Sequence, residues 1–153
     1  MLIPLKVLNA YRWSEVNVGL NKDSHSIPFG YFIWLFGFTG AHRFYYGKPI
    51  TGTLWFCTLG LLGVGWLVDF FLIPSMDREA ELKYQEGPIN YEIAWLLLVF
   101  LGVFGIHRFY MGKWISGIIW LCTGGLFTLG WLYDFWTLNQ NISEQNRMGL
   151  SKA

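Results

Sequence analysis

Four apolar stretches divide the chain: Ile27–Ala41, Pro49–Pro74, Ile93–Ile106 and Trp114–Leu138. Only two charged side chains, Asp69 and Asp134, fall within them. A helix needs about 20 apolar residues to cross a hydrocarbon core about 30 Å thick. The second and fourth stretches reach that length; the first and third either thin the bilayer locally or extend through their polar flanks. None alternates with the period of two expected of barrel strands, and only helices or closed barrels satisfy their backbone in lipid. The pattern predicts helices.

The polar segments His42–Lys48 and His107–Lys113 join these stretches in pairs. The expected fold is all-α: a polytopic membrane protein with four transmembrane helices, arranged as two parallel helical hairpins over 27–73 and 93–138. A polar tail (1–26) precedes them, an acidic linker (74–92) separates them and a second polar tail (139–153) follows. Within the linker, Ser75 can cap a helix, Asp77 and Glu79 sit in its first turn, and Gly87-Pro88 ends it, which predicts a short surface helix.

The two hairpins are copies. Gly-Ala-His-Arg-Phe-Tyr-Tyr-Gly-Lys from Gly40 returns as Gly-Ile-His-Arg-Phe-Tyr-Met-Gly-Lys from Gly105, and the same offset carries Trp66 onto Trp131 and Asp69 onto Asp134. Identical pairs in the long stretch are Gly52/Gly117, Trp55/Trp120, Thr58/Thr123, Gly65/Gly130 and Asp69/Asp134. On a helix their spacing keeps them on one stripe, which predicts an inward face with glycines at close helix approaches. Positions 53, 56, 64, 68 and 71 differ between copies yet stay largely apolar, as a lipid-facing surface requires.

His42, Arg43, Phe44, Tyr45 and Lys48, with His107, Arg108, Phe109, Tyr110 and Lys113, form the loop motif. Arginine and aromatics at helix ends suit phosphate headgroups, C-terminal carbonyls or a partner protein. Asp69 and Asp134 are the sharpest chemical signal, because a carboxylate in an apolar span implies a partner or a function. On an unbroken helix Asp69 stands about 33 Å from the loop, beside Trp66 at the opposite membrane face. Pairing with Arg43 would require the helix to break, which Gly60, Gly63 and Gly65 would permit. Two spans per hairpin place tails and linker on one side and both loops on the other. By count, the seven Lys/Arg of tails and linker, against four in the loops, favour cytoplasmic tails, whereas the density of those four within two short turns favours cytoplasmic loops.

Composition narrows the function. The 153 residues are 54% apolar and 14% charged, where soluble domains carry roughly a quarter. A net charge of +1 gives no nucleic-acid footprint. Cys57 and Cys122 each lie 15 positions beyond a loop histidine, inside the following stretch, so no metal site is expected. No catalytic constellation, phosphate-cradling loop or cofactor motif appears.

Gly-x-His-Arg-Phe-Tyr-x-Gly-Lys followed by Gly-Trp-x-x-Asp resembles the TM2 domain family, over Phe29–Ile73 and again over Ala94–Leu138. The resemblance implies small membrane proteins built on a two-helix hairpin around a short Asp/His-Arg-Phe loop. The histidine form at His42 and His107 is the one common in bacterial members, which implies a bacterial inner membrane. Most members carry one domain, so a tandem is a departure. The family brings no established activity. The expected function is a non-enzymatic integral membrane scaffold, assembly or regulatory partner, contacting lipid and another membrane protein or a second copy. The alternative is a small transporter or channel with Asp69 and Asp134 lining a pathway between the repeats.

Overall fold

The computed structural model describes residues 24–36, 39–127 and 129–150; most of the expected N-terminal tail, residues 1–23, lies outside them. The first repeat comprises α1 (Ile27–Leu35), α2 (Ala41–Tyr45), α3 (Pro49–Leu62) and α4 (Val64–Lys83). The second comprises α5 (Tyr91–Leu101), a 3-10 turn (Gly102–Phe104), α6 (Ile106–Tyr110), α7 (Trp114–Phe127) and α8 (Leu129–Leu150). Capping explains where each repeat begins. The Ser26 hydroxyl accepts from Phe29 N at 3.4 Å, and Asn90 Oδ1 accepts from Ile93 N at 3.1 Å.

The long helix expected in each repeat does not form. In α3 the backbone turns left-handed at Leu59, Gly60 and Leu61 (φ 50, 67 and 52°), and in α7 at Gly124, Gly125 and Leu126 (φ 59, 67 and 51°). The chain then doubles back. Glycine meets this conformation freely, whereas leucine there costs about 1–2 kcal/mol per residue. The adjoining threonines stabilise the turn. Thr58 Oγ1 donates to Leu54 O at 2.7 Å and accepts from Leu61 N at 3.0 Å. Thr123 repeats both bonds, to Ile119 O at 2.7 Å and from Leu126 N at 3.1 Å. These threonines were expected on the inward packing stripe; they are half-buried caps of a reversal.

Doubling back overturns the expected separation of loops from linker. Lys48 Nζ pairs with Glu79 at 2.7 Å, Lys83 Nζ donates to Gly47 O at 3.3 Å, and Lys113 Nζ donates to Asn141 at 2.9 Å. Both loops therefore lie beside the segments that leave the hairpins. Among the described residues no helix is long and apolar enough to cross a membrane.

The linker boundary also shifts. No separate surface helix starts at Ser75: α4 runs through Pro74 to Lys83, and Ser75 Oγ donates back to Leu72 O at 2.7 Å. Proline deprives the carbonyl four residues earlier of its helical partner. That carbonyl belongs to Phe70, and the Tyr31 hydroxyl donates to it at 3.0 Å. Tyr31 thus lets α4 continue past its proline. Likewise 139–150 is no free tail. It completes α8, burying Asn139, Ile142, Ser143 and Asn146. The Asn146 side chain accepts from Ile89 N at 2.9 Å and donates to Gln85 O and Ile89 O, which fixes the connection between repeats.

Along α1 and α4, Trp34 and Trp66 stack with ring centroids 4.6 Å apart, and each indole N–H donates to the other's carbonyl at 2.8 Å. Between repeats the seam is aromatic, with Phe44, Tyr45, Trp95 and Phe135 in edge-on contact. Asn139 ties it together. Its Oδ1 accepts from Trp95 Nε1 at 2.6 Å, and its Nδ2 donates to Phe44 O at 3.1 Å and Tyr45 O at 2.6 Å. Asn139→Leu strands the Trp95 N–H and two buried carbonyls, and should destabilise by about 3 kcal/mol or more, read from the unfolding midpoint in detergent.

His25 is buried at the same seam, its ring 4.6 Å from Tyr45, 4.7 Å from Tyr91 and 5.4 Å from Tyr84. Burial pushes its pKa down to about 4, with polar contacts from the Tyr45 backbone and Asn139 offsetting only part. The unfolded chain, near 6.5, then binds the proton that the folded chain refuses. Stability is complete above about pH 6.5 and should fall by about 3 kcal/mol as pH drops to 4. His25→Phe should flatten that slope in a pH series of unfolding curves.

Candidate functional site

The residues that repeat between the copies converge on one construction, made twice. Helix α2 is only five residues long and follows Gly40, whose φ of 76° turns the chain out of the preceding segment. A Cβ at Gly40 would stand 2.7 Å from Gly52 O and 2.7 Å from Trp55 Cβ, so the loop seats directly on α3. This directs His42 and Arg43 towards α4, where Asp69 is fully buried. His42 Nε2 lies 2.6 Å from Asp69 Oδ2, Arg43 Nε donates to the same oxygen at 2.8 Å, and Arg43 Nη2 donates to Oδ1. The guanidinium grips both carboxylate oxygens, the bidentate geometry that makes such pairs strong.

Trp55 closes the cluster. Arg43 Cζ stands 3.7 Å from its ring centroid, an arginine–indole contact in a site largely closed to water. The indole in turn lies on Gly65, where a Cβ would come within 2.6 Å of Trp55 Cζ2. Trp55 and Gly65 thus face one another across the helical reversal.

The second copy repeats the geometry. His107 Nε2 lies 2.8 Å from Asp134 Oδ2, Arg108 Nε donates to that oxygen at 3.0 Å and its Nη2 to Oδ1, and Arg108 Cζ is 3.5 Å from the Trp120 centroid. Trp120 lies on Gly130 as Trp55 does on Gly65. Phe44 and Phe109 pack on Gly52 and Gly117. In both copies the histidine Nδ1 is buried with no hydrogen-bond partner among the described residues.

The histidine and arginine of each loop motif therefore point inward, to the aspartate of their own repeat. His42 and Arg43 are buried, and Tyr45 and Tyr110 serve the starts of their repeats: Tyr45 OH accepts from Ser26 N at 2.9 Å and Tyr110 OH from Asn90 N at 3.1 Å. Lys48 and Lys113 reach the linker side. Trp66 stands apart with Trp34, and Trp131 donates to Leu98 O at 2.9 Å. Sequence reasoning passed over Asn139, His25 and Asn146, and gave the tryptophans no role towards arginine. The identical Trp–Asp spacing was the available signal. Cys57 and Cys122 are free and exposed, and no cluster of His, Cys, Asp or Glu fit for a metal occurs among the described residues.

Two stretches of the chain, residues 23–71 and 88–136, match the TM2 domain. The chain belongs to the TM2 domain family. A TM2 domain-containing protein of Dictyostelium discoideum is 50% identical over 52 residues, which span 34% of this chain and 38% of that protein. TM2 domain-containing protein 1 of Danio rerio is 42% identical over 72 residues (41% and 36%), and its Homo sapiens counterpart 46% over 54 (35% and 26%). The matched region is thus well under half of each relative. These relatives are eukaryotic and lend no support to the bacterial membrane expected from the histidine motif. No solved structure matches the chain.

In this TM2 tandem each Asp–Arg pair holds its hairpin closed. Removing one partner leaves an uncompensated buried charge. Arg43→Met and Asp69→Leu should each destabilise by about 3–5 kcal/mol, and the double variant by clearly less than their sum. Unfolding of all four proteins in the same detergent reads that coupling; additive losses would mean that the pair contributes nothing as a pair.

Proposed function

We propose that this TM2 tandem is a non-enzymatic membrane scaffold, embedded from one side of the bilayer and presenting its outer surface to lipid and to another membrane protein or a second copy of itself. The observation that carries this reading is the division between interior and surface. The conspicuous charged groups, Asp69, Arg43, Asp134 and Arg108, are engaged with one another inside the repeats. Meanwhile large apolar side chains stand bare, among them Leu62 at 91%, Phe71 and Ile115 at 80% and Leu129 at 75% exposure. Soluble monomers seldom carry contiguous apolar patches of more than a few hundred Å².

The depth of insertion follows from helix length. Pro49–Thr58 rises about 15 Å before the reversal, roughly half of the hydrocarbon core. This supports hairpins that enter and return, with loops, linker and α8 terminus on one face, over four complete spans. A transport pathway finds less support. The cavities bordered by Phe44 and Phe135, and that bordered by Lys113 and Trp114, include neither Asp69 nor Asp134 in their walls.

Cysteine labelling tests the arrangement. With Cys57 and Cys122 replaced by serine, Lys48→Cys and Gln85→Cys should react with a membrane-impermeant maleimide from the same side of sealed vesicles, and Leu62→Cys should be shielded. Reaction of position 48 from the side opposite position 85 would restore the four-span hairpins. In proteoliposomes the protein should give no ion flux above empty vesicles; a flux abolished by Asp69→Asn would replace the scaffold reading with transport.

A further inference from the structure

We propose that the seam between the two repeats binds one anionic phospholipid, its phosphate at Lys83 and Arg147 and an acyl chain beside Val99. The proposal builds on the membrane reading above. Two cavities flank the edge-on contact between Phe44 and Phe135, whose rings are 5.4 Å apart and line both. On the linker side lies a half-open cleft of 420 Å³, its rim formed by Lys83, Gln140, Ser143, Glu144 and Arg147. Beyond the phenylalanines lies a smaller cavity of 190 Å³, walled by Phe36, Phe56, Val99, Trp131 and Leu132. The seam is therefore polar where the loops and linker emerge and apolar towards the hairpin tips. A diacyl lipid has that same polarity along its length.

Charge selects the head. Glu144 accepts from Gln140 Nε2 at 3.1 Å, and Lys83, whose Nζ also donates to Gly47 O at 3.3 Å, lines the cleft together with Arg147. The charged side chains lining the cleft are two cations and one carboxylate, a set that favours a phosphodiester. Cations at such positions attract anionic headgroups and phosphate alike, so the chain cavity is what distinguishes a lipid from free phosphate. The site also needs both copies. Phe44 and Lys83 come from the first repeat, Phe135 and Arg147 from the second, and a single hairpin holds only half of the seam.

Native mass spectrometry of the full chain in a neutral detergent tests this, with phosphatidylglycerol, phosphatidylcholine and inorganic phosphate added in separate titrations. One phosphatidylglycerol should bind per chain, well ahead of phosphatidylcholine. Lys83 and Arg147 are exposed, so Lys83→Ala and Arg147→Ala, with the unfolding midpoint read alongside, should each weaken binding roughly fivefold, and together roughly 25-fold. Arg78→Ala, an exposed cation outside the seam, should change nothing. Val99→Phe, which fills the apolar cavity, should lower phosphatidylglycerol binding while leaving the unfolding midpoint within a few degrees. Equal binding of phosphatidylcholine, binding of phosphate as tight as that of the lipid, or indifference to the double variant would each overturn the site. Binding is read in detergent, so it stands or falls separately from the vesicle labelling that reads insertion.

Discussion

A carboxylate without a partner cannot be kept in an apolar hairpin, and the neutralisation of Asp69 by Arg43 sets the terms for everything around it. The guanidinium can reach the carboxylate only if the chain folds back between them. Folding back requires the left-handed turn at Leu59–Leu61 and the Thr58 hydroxyl that braces it. Closing the gap requires Gly65 on one arm so that Trp55 on the other can lie flat and cover the cation. Strain of a few kcal/mol in the turn is acceptable because opening the hairpin would leave a buried carboxylate and guanidinium without each other. The second copy, from Asp134 to Trp120, meets the same demands with the same residues, save that Gly124 stands in the turn where the first copy has Leu59.

Some differences between the copies belong to their joining. Pro74 interrupts the hydrogen bonding of α4, and Tyr31 supplies the missing donor. The equivalent position in α8 is Asn139, which uses its whole amide to bind Trp95 of its own repeat and the carbonyls of Phe44 and Tyr45 in the other. One position thus carries a proline inside α4 of the first hairpin and, in the second, fastens that hairpin to the first. His25 and its surrounding tyrosines occupy the same junction, so the beginning of the described chain is packed where the repeats meet.

Much of this was legible in the sequence. The repeat, the helical class, the exposed apolar positions 56, 64, 68 and 71 and the inward glycines follow from hydropathy and from comparing the copies. So did the condition for pairing Asp69 with Arg43, namely a break near Gly60 and Gly63. What could not be read was whether the break occurs. Apolar periodicity continues without a fault through Leu59–Leu62, and leucines give no local sign of left-handed backbone. The side on which the loops emerge depends wholly on that turn, so a single unread conformation inverted their placement. Asn139, Ser143 and Asn146 look like an ordinary polar terminus, because the partners that bury them are distant in sequence.

On the proposed reading that the hairpins insert from one side, the reversals also bear on how such a chain enters an apolar layer. Lys48, Glu79, Lys83 and Lys113 all emerge on the face from which the hairpins depart. Their charges never have to traverse hydrocarbon, a passage that costs about 2.5–3.5 kcal/mol for each side chain even with the help of insertion machinery. Only the tips, Leu59–Gly63 and Gly124–Leu126, lead the way, and they carry no charge at all. Each hairpin can dip in already folded, its one internal carboxylate silenced before it leaves water.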